Sequence, residues 1–117
     1  MKHEFIPYEE AYELRKLGFD EPSIATYGGH LNNKWILTIN SDYYKHHKYH
    51  ESVKACTAPL YQQAFKWFRE NYKLYHAIEF KHSKYYGYIQ NSDFTIWCDT
   101  YEESELACLK KLIEILK

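Results

Sequence analysis

The chain has few of the residues that build the common phosphate-binding and metal-binding motifs. Its four glycines include one adjacent pair, which is too few for a P-loop or a dinucleotide-binding turn. Its three cysteines, Cys56, Cys98 and Cys108, form no CxxC pair, and there is no HExxH motif. No signature of an activated thiol surrounds Cys98 and Asp99. We therefore predict no enzymatic activity, no catalytic residue and no cofactor, and we expect buried, reduced thiols.

Long apolar runs and a marked excess of one charge are also absent. The longest apolar run is about as short as Trp35–Leu37, far below the roughly 20 residues of a membrane-spanning helix. The N-terminal residues MKHEFIPYEE contain no apolar segment of a secretory signal. The sequence therefore predicts a cytoplasmic protein that does not bind membranes. Its formal net charge of −1 argues against a dedicated duplex-DNA-binding protein, which normally carries a basic excess.

Aromatic side chains, by contrast, are abundant: they make up 19% of the 117 residues, and thirteen of them are tyrosines. A chain of this length suits one domain with one core, so we predict a single domain over residues 1–117. Tyrosine and tryptophan carry a polar group that needs a partner or an exposed edge. Some of the rings are therefore expected on the surface.

Three helices are indicated by their ends and their apolar faces. The first is expected to have Pro7 as its first helical residue and to end at Gly18, which suits the left-handed position after a helix. The second follows Pro59 and contains the ring-rich sequence LYQQAFKWFRENY. The third begins with a capping box, in which the Thr100 hydroxyl accepts the Glu103 N–H, and runs to near the C-terminus.

Four strands are predicted between and after these helices, over residues 34–39, 75–81, 85–90 and 94–98. Short turns between the last three suit antiparallel hairpins. The segment FDEPSIATYGG is expected to be a loop that ends in a turn at the glycine pair. The order α-β-α-β-β-β-α predicts an α+β fold, with a mainly antiparallel sheet of about four strands and helices packed on one face.

The segment DYYKHHKYHE, residues 42–51, raises the question of a metal site. His46 and His50 are four residues apart and on a helix both could reach one zinc ion. A complete site needs two more ligands, and only Glu51 and Cys56 are close in sequence. Because there is no HExxH motif and an exposed loop explains the segment equally well, we predict no metal. We expect a polar connection that acts, if at all, as an adaptable contact loop. Its candidate binding residues are Tyr43, Tyr44, His46, His47, Tyr49 and His50.

A second candidate binding surface lies on the hairpin that contains Tyr85, Tyr86 and Tyr88. Neighbouring residues of a strand point to opposite faces, so the three rings cannot all face the core. Exposed tyrosine and tryptophan are typical of the centres of protein interfaces. Alternatively, the rings pack on one another as ordinary cross-strand pairs. The sequence leaves both interpretations open.

Two functions are compatible with these features. The favoured one is a non-catalytic protein-binding module. The alternative is binding of single-stranded nucleic acid or RNA, because lysine and histidine alternate with tyrosine over residues 43–49 and 81–88. The double-stranded-RNA-binding domain has a similar order of elements, but it carries lysines at the start of its last helix. Residues 101–105, YEESE, are acidic there, and this excludes that family.

Three segments, EEAYELRKLGFDEPSIATY, TAPLYQQAFKWFRENYKLYHAIE and TYEESELACLKKLIEILK, resemble small uncharacterised proteins of phages, prophages and mobile elements of gut Bacteroidetes. Together they cover roughly half of the chain, and the histidine-rich segment lies outside them. The resemblance implies a phage or mobile-element origin and action inside a bacterial cell. It implies no activity and transfers no site residue. The expected partner is a host or phage protein. A second copy of the chain, in a homodimer, is also a possible partner.

Overall fold

A computed structural model of the chain describes residues 4–32, 34–44 and 54–117. Its helices are α1 (Tyr8–Lys16), α2 (Tyr61–Tyr72) and α3 (Tyr101–Leu116). Its strands are β1 (Ser23–Leu31), β2 (Lys34–Tyr44), β3 (Cys56–Thr57), β4 (His76–Lys81), β5 (Lys84–Ile89) and β6 (Thr95–Cys98).

The predicted α+β class is confirmed, but the arrangement of strands differs from the prediction. In place of one sheet of about four strands, the described residues form two antiparallel sheets of three strands, with the orders β2-β1-β3 and β4-β5-β6. The chain divides into two compact units, Met1–Gln63 and Ala64–Lys117, and each unit contains one of these sheets. The three strands of the second sheet lie within one residue of their predicted bounds.

The expectation of a loop between α1 and the first predicted strand was wrong, because this segment forms β1, the central strand of the first sheet. Ser23, Ala25 and Tyr27 are buried and alternate with partly exposed residues, as in a strand with one covered face. The glycine pair does not form a turn. It lies at a register shift between Tyr27 and His30, where Gly29 has a φ of 82°, so β1 continues through a bulge.

Helix α1 ends as its sequence predicts. Gly18 has a φ of 97°, and its N–H donates to the carbonyl of Arg15 at 3.1 Å. The N–H of Phe19 donates to the carbonyl of Leu14 at 2.9 Å, which completes a Schellman motif. At the other end Pro7 is the N-cap residue and precedes the first helical residue instead of being it.

Helix α3 begins at the predicted cap. The Glu103 N–H donates to the Thr100 hydroxyl oxygen at 3.1 Å, as expected. The Glu103 carboxylate accepts a hydrogen bond from the Thr100 hydroxyl at 2.9 Å. The acidic side chains of Glu102 and Glu103 lie in the first turn, where the helix dipole favours negative charge.

Helix α3 packs closely on the central strand of the second sheet, and Gly87 permits this contact. A Cβ atom at position 87 would overlap Ser104 Oγ and would lie 3.0 Å from Cys108 Sγ. Both of these α3 residues are fully buried. The side of the strand that carries residue 87 therefore faces α3.

Helix α2 carries the predicted stripe of buried rings, which includes Phe65, Trp67 and Phe68. The ring of His76, at the start of β4, stacks on Phe65 with 3.5 Å between ring centroids and 13° between planes. Burial, together with the positive charge of Arg69, lowers the pKa of His76 to about 4. His76 is therefore a neutral member of this core at neutral pH.

Candidate binding face on the second sheet

The sheet β4-β5-β6 has two distinct faces, because side chains alternate along each strand. Gly87 of β5 lies against α3, so its neighbours Tyr86 and Tyr88 point to the opposite side. We call this opposite side the outer face. The backbone register places Tyr86 between Glu79 of β4 and Trp97 of β6. The outer face is thus built on regular strands.

Three rings form a continuous patch on the outer face. The Tyr86 ring lies 4.6 Å from that of Trp97 and 5.5 Å from that of Tyr88, measured between centroids. Trp97 is 49% exposed, although it is one of the largest apolar side chains of the chain. We call Tyr86, Tyr88 and Trp97 the outer aromatic patch. The patch combines the two interpretations that the sequence left open, because Tyr86 and Trp97 are a cross-strand pair that is also accessible.

The lysines of the outer face have carboxylate neighbours. Lys81 Nζ lies 3.7 Å from Glu79 Oε2 and 5.5 Å from the centroid of the Tyr86 ring. Lys84 forms an ion pair with Asp99. The hydrogen bond to Asp99 and the negative charge of its carboxylate both raise the pKa of Lys84. The ammonium groups are therefore balanced by acids, and the outer face has little net charge.

A groove with a volume of about 420 Å³ adjoins the outer aromatic patch. One wall is the turn after β5, which is held by a hydrogen bond of 2.8 Å from Ser92 Oγ to the Ile89 carbonyl and by the left-handed Asn91. The lining contains one carboxylate and no lysine, arginine or histidine. The lining residues are Glu79, Tyr86, Tyr88, Ile89, Gln90, Asn91, Ser92, Phe94 and Thr95.

Comparisons with protein-family models, with curated proteins and with solved structures give no match.

The sequence-predicted residue Tyr85 does not belong to the outer aromatic patch. It lies on the side of the sheet that faces α3, with its ring 5.0 Å from Phe80 and 5.9 Å from Tyr101. Phe80 is 65% exposed and was not among the candidates. The hairpin thus presents Tyr86 and Tyr88 on one face and Tyr85 on the other.

The other sequence-predicted candidates lie at or beyond the end of β2. Tyr43 and Tyr44 are its last residues, and the backbone of Tyr44 pairs with Ser23. The remaining candidates lie outside the described residues: His46, His47, Tyr49 and His50. Trp97 and Glu79 were missed as site residues. The alternation in FTIWC was the available signal for Trp97, because it places this ring opposite the buried Cys98.

The three cysteine side chains are buried in the interior of the protein. Cys56, Cys98 and Cys108 are free and buried. Burial raises the pKa of Cys56 to about 12 and that of Cys108 to about 11, and it also raises the pKa of Cys98. A nucleophilic cysteine needs a lowered pKa, so the environment of these thiols opposes thiolate formation at neutral pH.

The part of the chain that the structure describes contains neither a metal-binding cluster nor a membrane-spanning helix. No group of three or more histidine, cysteine, aspartate and glutamate side chains there is arranged to hold a metal ion. None of the described helices has the length and hydropathy needed to cross a membrane.

Proposed function

We propose that the chain is a non-catalytic protein-binding module and that the outer aromatic patch contacts its partner. The observation that carries this proposal is the contiguous arrangement of Tyr86, Tyr88 and Trp97 on a regular sheet, in which Trp97 is exposed and the two tyrosines are partly exposed. Tyrosine and tryptophan are enriched at the centres of interfaces, where each buries a large apolar area. Strands hold such rings at fixed spacing, so little conformational entropy is lost when a partner covers them.

The charges of the outer face favour a protein over a single-stranded nucleic acid. Stacking on rings would serve either partner, but a nucleic acid also needs cations that track its phosphates. Lys81 and Lys84 are each next to a carboxylate, and Glu79 lines the groove. A phosphate at this face would therefore meet negative charge as well as positive charge.

The resemblance to phage and mobile-element proteins supports a setting for this role. We place the protein in the cytoplasm of a bacterial host, as a phage accessory protein that engages a host or phage protein. A second copy of the chain is the other protein that the outer aromatic patch can accept, and it would give a homodimer.

The proposal is tested by capture from lysates of infected and uninfected host cells, with Trp97→Ala as the test variant. Phe80→Ala is the matched control, because this ring is even more exposed but lies on the α3-facing side of the same sheet. A partner that uses the outer aromatic patch should bind the Trp97→Ala protein about 30-fold more weakly, the effect of losing about 2 kcal/mol at an interface centre. Its binding to the Phe80→Ala protein should be unchanged.

Binding constants measured with the purified partner decide the outcome. Equal affinities of the two variants would refute the proposed role of the patch. Native mass spectrometry identifies the homodimer, which should dissociate on Trp97→Ala substitution. Binding of a labelled single-stranded oligonucleotide that falls steeply with salt would support the nucleic-acid alternative instead.

A further inference from the structure

We propose that the groove beside the outer aromatic patch binds a basic side chain of the protein partner, an arginine or a lysine on an extended segment. This inference rests on the proposed function, because it assigns the chemistry of the partner at the same face. Its test varies Glu79 in place of Trp97, however, and does not need the partner.

A cation of the chain itself, the Lys81 ammonium, lies at the edge of the groove. The Lys81 ammonium lies 5.5 Å from the centroid of the Tyr86 ring and 3.7 Å from Glu79 Oε2. A ring face and a carboxylate thus act on one positive charge, which is the arrangement that recognises ammonium and guanidinium groups. Lys81 and Glu79 are both about half exposed, and an exposed ion pair of this kind is weak. A cation from a partner can therefore displace Lys81 or share the Glu79 carboxylate with it.

The composition of the groove sets the sign of its ligand. Glu79 is the charged residue of the lining, and Tyr86 and Tyr88 contribute two ring faces. Gln90 and Asn91 add amide groups whose oxygens accept hydrogen bonds from a guanidinium group. An anion would lie beside Glu79 with only Lys81, which is outside the lining, to compensate, so the composition of the lining favours a cation.

The volume of the groove is suited to one long side chain. About 420 Å³ is at the small end of the range for ligand sites in proteins. The methylene stem of arginine or lysine can lie on the rings while its charged end reaches Glu79. Trp97 lies on the far side of Tyr86 from Glu79 in the strand register and remains available for other parts of the partner.

The test is an NMR titration of the isotope-labelled protein with N-acetyl-arginine amide. N-acetyl-citrulline amide is the control ligand, because it has nearly the same shape without the charge. Arginine amide should shift the backbone signals of Glu79, Tyr86, Tyr88 and the turn after β5 with a millimolar dissociation constant, and citrulline amide should not. Glu79→Gln should weaken the binding about fivefold or more, which corresponds to about 1 kcal/mol. Lys81→Met should strengthen it, because the internal competitor is removed.

Glu114→Gln is the matched control variant. Glu114 also forms an ion pair with a lysine, Lys111, but lies on α3 and not on the outer face. Equal binding of citrulline amide, unchanged binding by the Glu79→Gln protein, or shifts caused at the groove by inorganic phosphate would each overturn the inference. A full set of unperturbed signals outside the groove shows that each variant is folded.

Failure of the inference and failure of the proposed function give different results. If arginine amide binds as expected but the affinity of the captured partner is unchanged by Trp97→Ala, the groove is a cation site and the patch is not the interface. If the partner requires Trp97 but arginine amide causes no shifts at the groove, the patch is the interface and the groove does not bind a basic side chain.

Discussion

The contact between α3 and β5 makes a strong prediction for the substitution Gly87→Ala. The new methyl group would overlap Ser104 Oγ and would lie 3.0 Å from Cys108 Sγ, and both of these side chains belong to a helix that is buried at this point. Excess volume in a packed core costs about 1 to 3 kcal/mol. Replacing glycine within a strand recovers roughly 0.5 to 1 kcal/mol of backbone entropy.

We therefore expect Gly87→Ala to lower the free energy of unfolding by about 1 to 2 kcal/mol. For a domain of this size the melting temperature should fall by about 4 to 10 °C. Thermal unfolding followed by circular dichroism, with urea unfolding beside it, measures both quantities under reducing conditions.

The clash can also be relieved by a substitution on α3, at Ser104. The hydroxyl of Ser104 is buried and has no hydrogen-bond partner among the described residues. Ser104→Ala therefore removes the atom that Gly87→Ala would strike, and it removes a polar group whose burial without a partner costs about 1 to 3 kcal/mol. Alone it should leave the protein as stable as the parent or more so, and in the double variant it should recover at least half of the loss.

Gly28→Ala is the control for a general effect of replacing glycine. The space around a methyl group at position 28 is open and this residue also lies in a strand, so Gly28→Ala should leave the free energy of unfolding unchanged or raise it by up to about 1 kcal/mol. A Gly87→Ala protein as stable as the parent would refute the packing argument. A loss that Ser104→Ala does not reduce would refute the assignment of the clash to that hydroxyl.

Two further predictions concern stability. The pKa of His76 is about 4 in the folded protein and 6.5 when unperturbed, so between these values the unfolded chain binds a proton that the native protein does not. The free energy of unfolding should therefore fall by up to about 3 kcal/mol as the pH decreases from about 6.5 to about 4, and His76→Gln should remove this part of the slope in urea titrations. An identical slope in both proteins would show that folding does not lower the pKa of His76. Thr100→Ala should lower the free energy of unfolding by about 1 kcal/mol through loss of the α3 cap, whereas Thr100→Ser should not, and equal melting temperatures of the two variants would contradict this.

The helix ends could be predicted because their determinants are local. The left-handed position at Gly18 and the hydroxyl at Thr100 act within a few residues of the chain. Strand β1 was missed because Pro22 and the glycine pair are typical of loops. Its pairing with β3 joins Thr26 to Thr57, and no local pattern indicates such a distant contact. The division of the strands between two separate sheets was missed for the same reason.

In the candidate site, too, the features set by local sequence could be predicted and those set by strand pairing could not. Alternation along the strands was sufficient to separate Tyr85 from Tyr86 and Tyr88. Trp97 follows from the same rule, but only the register between β5 and β6 places it beside Tyr86. The groove could not be predicted, because it depends on the conformation of the turn at Asn91 and on the position of Glu79 across the sheet. These are relations between strands and are not contained in any one segment.

Trp97 is the most exposed of the three tryptophans, and this gives the outer face a fluorescence signal. Trp97 is 49% exposed and Trp67 only 7%, whereas Trp35 is partly exposed and would be replaced by phenylalanine for this measurement. A small neutral quencher such as acrylamide should therefore reach the indole of Trp97 much more readily than that of Trp67. Covering the outer face should protect the accessible part of the emission and leave the buried part as an internal reference. The folded protein can thus report occupancy of this surface without an attached label.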